Sequence, residues 1–118
     1  MKIYKVFARV YTAQLEETIA FYEKLTDEKN TGINEFKGGG MDLKTTTVGN
    51  FLLLNGSEEA LEFLKRTNDS IVVDSVKEFK EFLLANGGTI VVDEMESSGV
   101  TICIIKHKDG LVIEYMQF

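Results

Sequence analysis

The sequence predicts an α+β fold built from two successive βαβββ modules paired about a pseudo-twofold axis. Segments rich in β-branched and aromatic residues alternate with two long helical stripes, in an order that repeats. Capping and turn residues stand where those segments change. A gapless shift of 61 residues also lays one half of the chain on the other: Leu15 on Val76, Glu17 on Glu78, Phe21 on Phe82, Gly38 on Gly99 and Gly49 on Gly110.

Each element has its own reason. Lys2 to Tyr11 reads as a strand dense in β-branched and aromatic residues. Leu15, Thr18, Ile19, Tyr22 and Leu25 recur at helical spacing, which gives an amphipathic helix from Ala13 to Leu25. Its acids Glu16, Glu17 and Glu23 fall on the polar face and read as solvation. Residues 33–37 and 43–55 read as strands, the latter split into a hairpin at Gly49-Asn50. The Gly38-Gly39-Gly40 run lacks the Lys-Ser/Thr of a phosphate loop and reads as a flexible bend.

Ser57 caps a short helix whose first turn carries Glu58 and Glu59, matching the positive end of the helix dipole. Ile71 to Val73 is a short strand. Ser75-x-x-Glu78 is a capping box, opening a helix with Val76, Phe79, Phe82 and Leu83 on one face and closing at Asn86-Gly87-Gly88. Strands over 89–93, 100–106 and 111–117 complete the second module. We therefore expect one domain over residues 1–118, with module 1 over about 1–56, module 2 over about 62–118 and the short helix linking them.

Composition narrows the function classes. An apolar fraction of 44% and a charged fraction of 27% are those of an ordinary globular domain. Nothing approaches the roughly 20 apolar residues of a membrane span. The start MKIYKVFARVY, broken by Lys2, Lys5 and Arg9, lacks a secretory apolar core, so a cytoplasmic location is expected. A net charge of −6 without a basic cluster argues against nucleic acid and anionic membrane as partners. The lone Cys103 makes no intrachain disulfide and, within the run TICII, reads as a small buried hydrophobe.

The candidate chemistry centres on the last strand. In HKDGLVIEYMQF, Glu114 interrupts an apolar run, and a carboxylate there must be paired, coordinated, in a wet cavity or on a solvent face. Alternation places Val112, Glu114 and Met116 on one face, opposite Leu111, Ile113 and Tyr115. By the same parity Lys5, Phe7, Arg9 and Tyr11 share a face of the first strand, which makes Arg9 a candidate partner for Glu114. His107 is the only histidine, but it precedes the turn Lys108-Asp109-Gly110 and reads as a solvent-facing turn residue rather than a general base.

The chain resembles the vicinal oxygen chelate superfamily, which includes glyoxalase I, extradiol dioxygenases and bleomycin-resistance proteins. The resemblance rests on LEETIAFYEKL (15–25) with its Phe-Tyr pair, on IVVDSVKEF (71–79), and on the final strand, in order over nearly the whole chain. It implies a curled mixed sheet around a cavity. It also implies four metal-ligand positions, which fall on Phe7, Leu53, Asn68 and Glu114. Only Glu114 is a strong donor, whereas zinc or a transition metal asks for three or four N, S or O ligands.

The expected function is therefore metal-independent binding of a small, partly apolar organic molecule, of the glyoxalase/bleomycin-resistance type. Phe7, Arg9, Asn68 and Glu114 are the ligand-binding candidates, with no cofactor, no metal and a homodimeric state. Two alternatives stand beside it. One is a metal-dependent lyase, isomerase or dioxygenase using Glu114 as a ligand. The other is a degenerate scaffold whose cavity is filled, with Glu114 and Arg9 satisfying each other.

Overall fold

A computed structural model of the chain describes residues 1–37, 42–97 and 99–118. The triple-glycine run lies outside the described residues. The element order is β1 (Ile3–Thr12), α1 (Leu15–Thr26), β2 (Asn34–Phe36), β3 (Leu43–Val48), β4 (Phe51–Asn55), α2 (Glu58–Leu64), β5 (Asp69–Val73), α3 (Val76–Ala85), β6 (Thr89–Ser97), β7 (Val100–Lys106) and β8 (Val112–Gln117). The fold is α+β, and the strand–helix–three-strand order occurs twice.

The chain forms two compact units, Ala8–Arg66 and Met1–Phe7 with Thr67–Phe118, so the division falls inside β1. In the Ala8–Arg66 unit the strand order is β2-β3-β4-β1. The β2–β3 and β3–β4 pairs are antiparallel, and β4 runs parallel to β1 with Leu53 opposite Val10. Gly49, at φ 57°, makes the two-residue turn between Val48 and Phe51. Helix α1 lies on β3 and β4. Its Leu15 and Ile19 close a core with Val48 and Leu53, joined by Val10, Tyr22 and Phe51.

The expected stripe of α1 stops short. Leu25 is 61% exposed, so the last turn of the helix reaches past the sheet it packs on. The chain leaves α1 through Asp27 in the left-handed region, φ 57°. Glu23 is not mere solvation: its carboxylate accepts from Asn30 N at 2.8 Å and Asn30 Nδ2 at 3.1 Å, fixing the following loop. Those bonds hold its carboxyl below the usual carboxylate range.

In the other unit β5 runs parallel to β8, β8 antiparallel to β7, and β7 antiparallel to β6, with the first part of β1 beside β5. Strand β6 extends beyond the 89–93 that the sequence suggested and carries register shifts between Ile90 and Met95. Such bulges bend a strand locally, which alternation alone does not reveal. Ser75 accepts from Glu78 N as the capping box requires, and Gln117 Oε1 accepts Val76 N at 2.8 Å, holding a second orphan donor of α3. Val76 and Phe79 seat α3 on Val73, Cys103, Ile105, Ile113 and Tyr115.

Cys103 is fully buried in this core, and burial pushes its thiol up to about 11. The native protein should therefore resist a disulfide reagent such as DTNB at pH 8. Labelling should appear only as denaturant unfolds the chain, in step with the circular dichroism transition. Rapid labelling of the native state would place the thiol at the surface.

Candidate functional site

The face of β8 that carries Glu114 follows from what covers the other face. Ile113 and Tyr115 are buried in the core under α3, so Val112, Glu114 and Met116 point the opposite way. All three are half-buried. Their cross-strand neighbours are Lys106, Ile104 and Ile102 on β7, and Glu114 lies opposite Ser70 on β5. Ile102 and Ile104 are likewise half-buried. The result is a carboxylate among aliphatic side chains, neither sealed in the core nor bathed in solvent.

Ser70 was not among the residues singled out from the sequence. It is completely buried, and its Oγ donates to Glu114 Oε1 at 2.8 Å. A hydrogen bond to a charged group contributes about 1.5–3 kcal/mol. The sequence placed Ser70 in a strand, but only the β5–β8 register sets it beside Glu114.

Asn68, just before β5, is exposed and has a definite task. Its amide oxygen accepts from Val112 N at 2.8 Å while its own N–H donates to Val112 O at 2.8 Å. This two-bond closure prolongs the β5–β8 pairing by one step and commits the oxygen that a cation would need. Phe7 is 7% exposed, with Lys5 Nζ 5.1 Å from its ring centroid in a cation–π arrangement.

Arg9 belongs to the Ala8–Arg66 unit and is half-buried. Its Nη1 donates to Leu64 O at 2.9 Å and to Tyr11 Oη at 3.2 Å, and Tyr11 Oη donates to Leu64 O at 3.0 Å. Leu64 ends α2, so the guanidinium sits where the helix dipole favours a cation. Parity along β1 predicted that Arg9 and Tyr11 share a face. It did not predict that α2 would supply the acceptor.

His107 departs from expectation. It is half-buried, and its Nε2 lies 2.6 Å from Tyr115 Oη, tying the turn before β8 to the core. A cleft of about 500 Å³ opens there, lined by Leu83, Asn86, Gly88, His107, Lys108 and Asp109. It lies at the end of α3, on the other side of β8 from Glu114.

The donor positions implied for a metal need one correction. Leu53 is fully buried in the core under α1, whereas Glu114 faces away from α3, so the two are not equivalent. The parallel pair Arg9–Leu52 corresponds to Ser70–Glu114, which makes Leu52 the counterpart of Glu114. The slip arises in the hairpins: two residues separate paired Val48 and Phe51, whereas 107–111 separate paired Lys106 and Val112. The chemistry is unchanged, since Leu52, like Leu53 and Phe7, donates nothing. With Asn68 engaged by Val112, the residues present do not fit a divalent metal. Among the described residues no three His, Cys, Asp or Glu side chains converge on a common point.

No protein-family model matches the chain, and no curated protein sequence matches it. Solved structures do. An uncharacterized protein from Methanosarcina mazei shares 34% identity over 99% of this chain and 94% of its own, with a TM-score of 0.84. A hypothetical protein from Bacillus halodurans shares 16% identity over 100% and 96%, with a TM-score of 0.76. A variant of Streptomyces coelicolor methylmalonyl-CoA epimerase, in complex with 2-nitronate-propionyl-CoA, shares 14% identity over 98% of each chain, with a TM-score of 0.71. That epimerase is a vicinal oxygen chelate protein, and the present fold is of that type. The chain belongs to the vicinal oxygen chelate superfamily, in one family with the Methanosarcina mazei protein.

Proposed function

We propose that the chain is a metal-independent, small-molecule-binding protein of the glyoxalase/bleomycin-resistance type. The observation that carries this reading is the Ser70–Glu114 pair on a strand face otherwise made of half-buried aliphatic residues. Binding sites for small molecules combine mostly apolar walls with a few placed polar groups. Glu114 is the polar anchor, and Phe7, Arg9 and Asn68 are further ligand-facing residues. The protein acts in the cytoplasm as a homodimer. Support for self-association comes from β1, where Ile3, Tyr4 and Val6 are 51%, 61% and 48% exposed on a strand rather than a loop.

Binding of this kind stabilises the folded chain. A ligand at 100 times its Kd adds about 2.7 kcal/mol, which a thermal-shift screen detects readily. The screen should include acyl-CoA thioesters, the ligand class of the epimerase complex. We expect at least one organic ligand to raise Tm, and Glu114→Gln to abolish that rise while the variant remains folded. EDTA treatment should leave Tm unchanged, and added Mn²⁺, Co²⁺ or Zn²⁺ should not raise it. Stoichiometric metal bound through Glu114 would overturn the reading in favour of the metal-dependent enzyme. An interior that accepts no ligand would leave the filled scaffold.

A further inference from the structure

The same carboxylate sets the chemical class of the ligand. Resting on the binding reading above, we infer that the molecule bound against β8 presents a hydrogen-bond donor, a protonated amine above all, to Glu114, and that acids are rejected there. The argument begins at Ser70. A serine hydroxyl has one proton, and Ser70 directs it to Glu114 Oε1 at 2.8 Å from a fully buried position. Oε1 is therefore an acceptor. An ionised carboxylate is acceptor-only, with about four lone-pair sites over its two oxygens. A ligand group that meets it arrives as a donor, and a carboxylate or phosphate would set like charges together.

The walls define the rest of the molecule. Val112 and Met116 flank Glu114 along β8, and Ile102 and Ile104 face it from β7, all of them half-buried. A short aliphatic or aromatic body with one donor head matches this surface. The charge-assisted bond of an ammonium is roughly twice as strong as that of a neutral hydroxyl, so amines outrank alcohols. The net charge of −6 favours the approach of a cation and opposes that of an anion.

The test uses three near-isosteric probes on the whole protein: 2-phenylethylamine, 2-phenylethanol and phenylacetate. Affinities come from amide chemical-shift titration, with Tm read in parallel. The amine should bind roughly tenfold more tightly than phenylacetate, with the alcohol between them, and should perturb the amides of Ser70 and Glu114. Glu114→Gln, whose amide both donates and accepts, should lose the amine's advantage and admit phenylacetate. A merely structural role for Glu114 would weaken all three probes together. Ser70→Ala provides the second variant: it keeps the carboxylate and should keep the order amine, alcohol, acid. Phenylacetate binding as tightly as the amine would overturn this inference alone. Failure of all three probes, and of the wider screen, would overturn the binding reading with it.

Discussion

Leu53→Ala is expected to remove about 2–5 kcal/mol of stability, and Leu52→Ala only about 1 kcal/mol. Leu53 is fully buried under α1 among Leu15, Ile19 and Val48, so truncation deletes apolar contacts and leaves a cavity. Leu52 lies on the other face of β4 and is half-buried, where the surroundings can relax. For a domain of this size the Leu53 variant should melt roughly 8–20 °C lower. Urea denaturation of both variants, compared by midpoint at constant slope, is the measurement. A larger loss for Leu52→Ala would reverse the face assignment of β4. Leu53 would then become the counterpart of Glu114, and the corrected metal positions would fail with it.

That contrast shows what a sequence of this kind discloses. Signals carried by neighbouring residues were legible: Ser57 and Ser75 cap their helices, and Gly49-Asn50 turns its hairpin. The faces of single strands were legible too, because alternation put Ile113 and Tyr115 under a helix and Glu114 away from it. Register between distant strands was not. A rigid shift of 61 residues cannot show that one hairpin is two residues and its counterpart five, and so it matched Leu53, rather than Leu52, to Glu114.

The candidate site suffers most from this limit. Ser70 and Glu114 are 44 residues apart, and nothing local in DSIVV marks its serine as the partner of an acid. Arg9 reaches the last carbonyl of α2, 55 residues away, for the same reason. A polar residue on a strand reveals its face from sequence, but its partner only once the sheet is assembled. The chain's metal-poor donor set was legible throughout, because it depends on residue type and not on register.

Raising the pH from 10 to 12 is expected to cost the protein about 2–3 kcal/mol through Tyr115 alone. The phenol is 3% exposed, packed against Phe79, and burial pushes its pKa from 10.0 up to about 12. The folded state therefore holds the proton more tightly than the unfolded chain does. That preference contributes its full stability below pH 10, where both states are protonated, and is lost as pH rises through the folded value. Tyr115→Phe isolates the effect. At pH 8 the variant should be less stable than the wild type by about 1 kcal/mol, the worth of the lost bond to His107. The phenylalanine has no proton to lose, so the two stability curves should cross at about pH 11 by the same linkage. Denaturant titrations at pH 8, 10 and 11.5 would display the crossing. Parallel curves over that range would mean that the Tyr115 hydroxyl ionises as readily in the folded protein as in the unfolded chain. The bond that ties the turn before β8 to the core would then have no protected end.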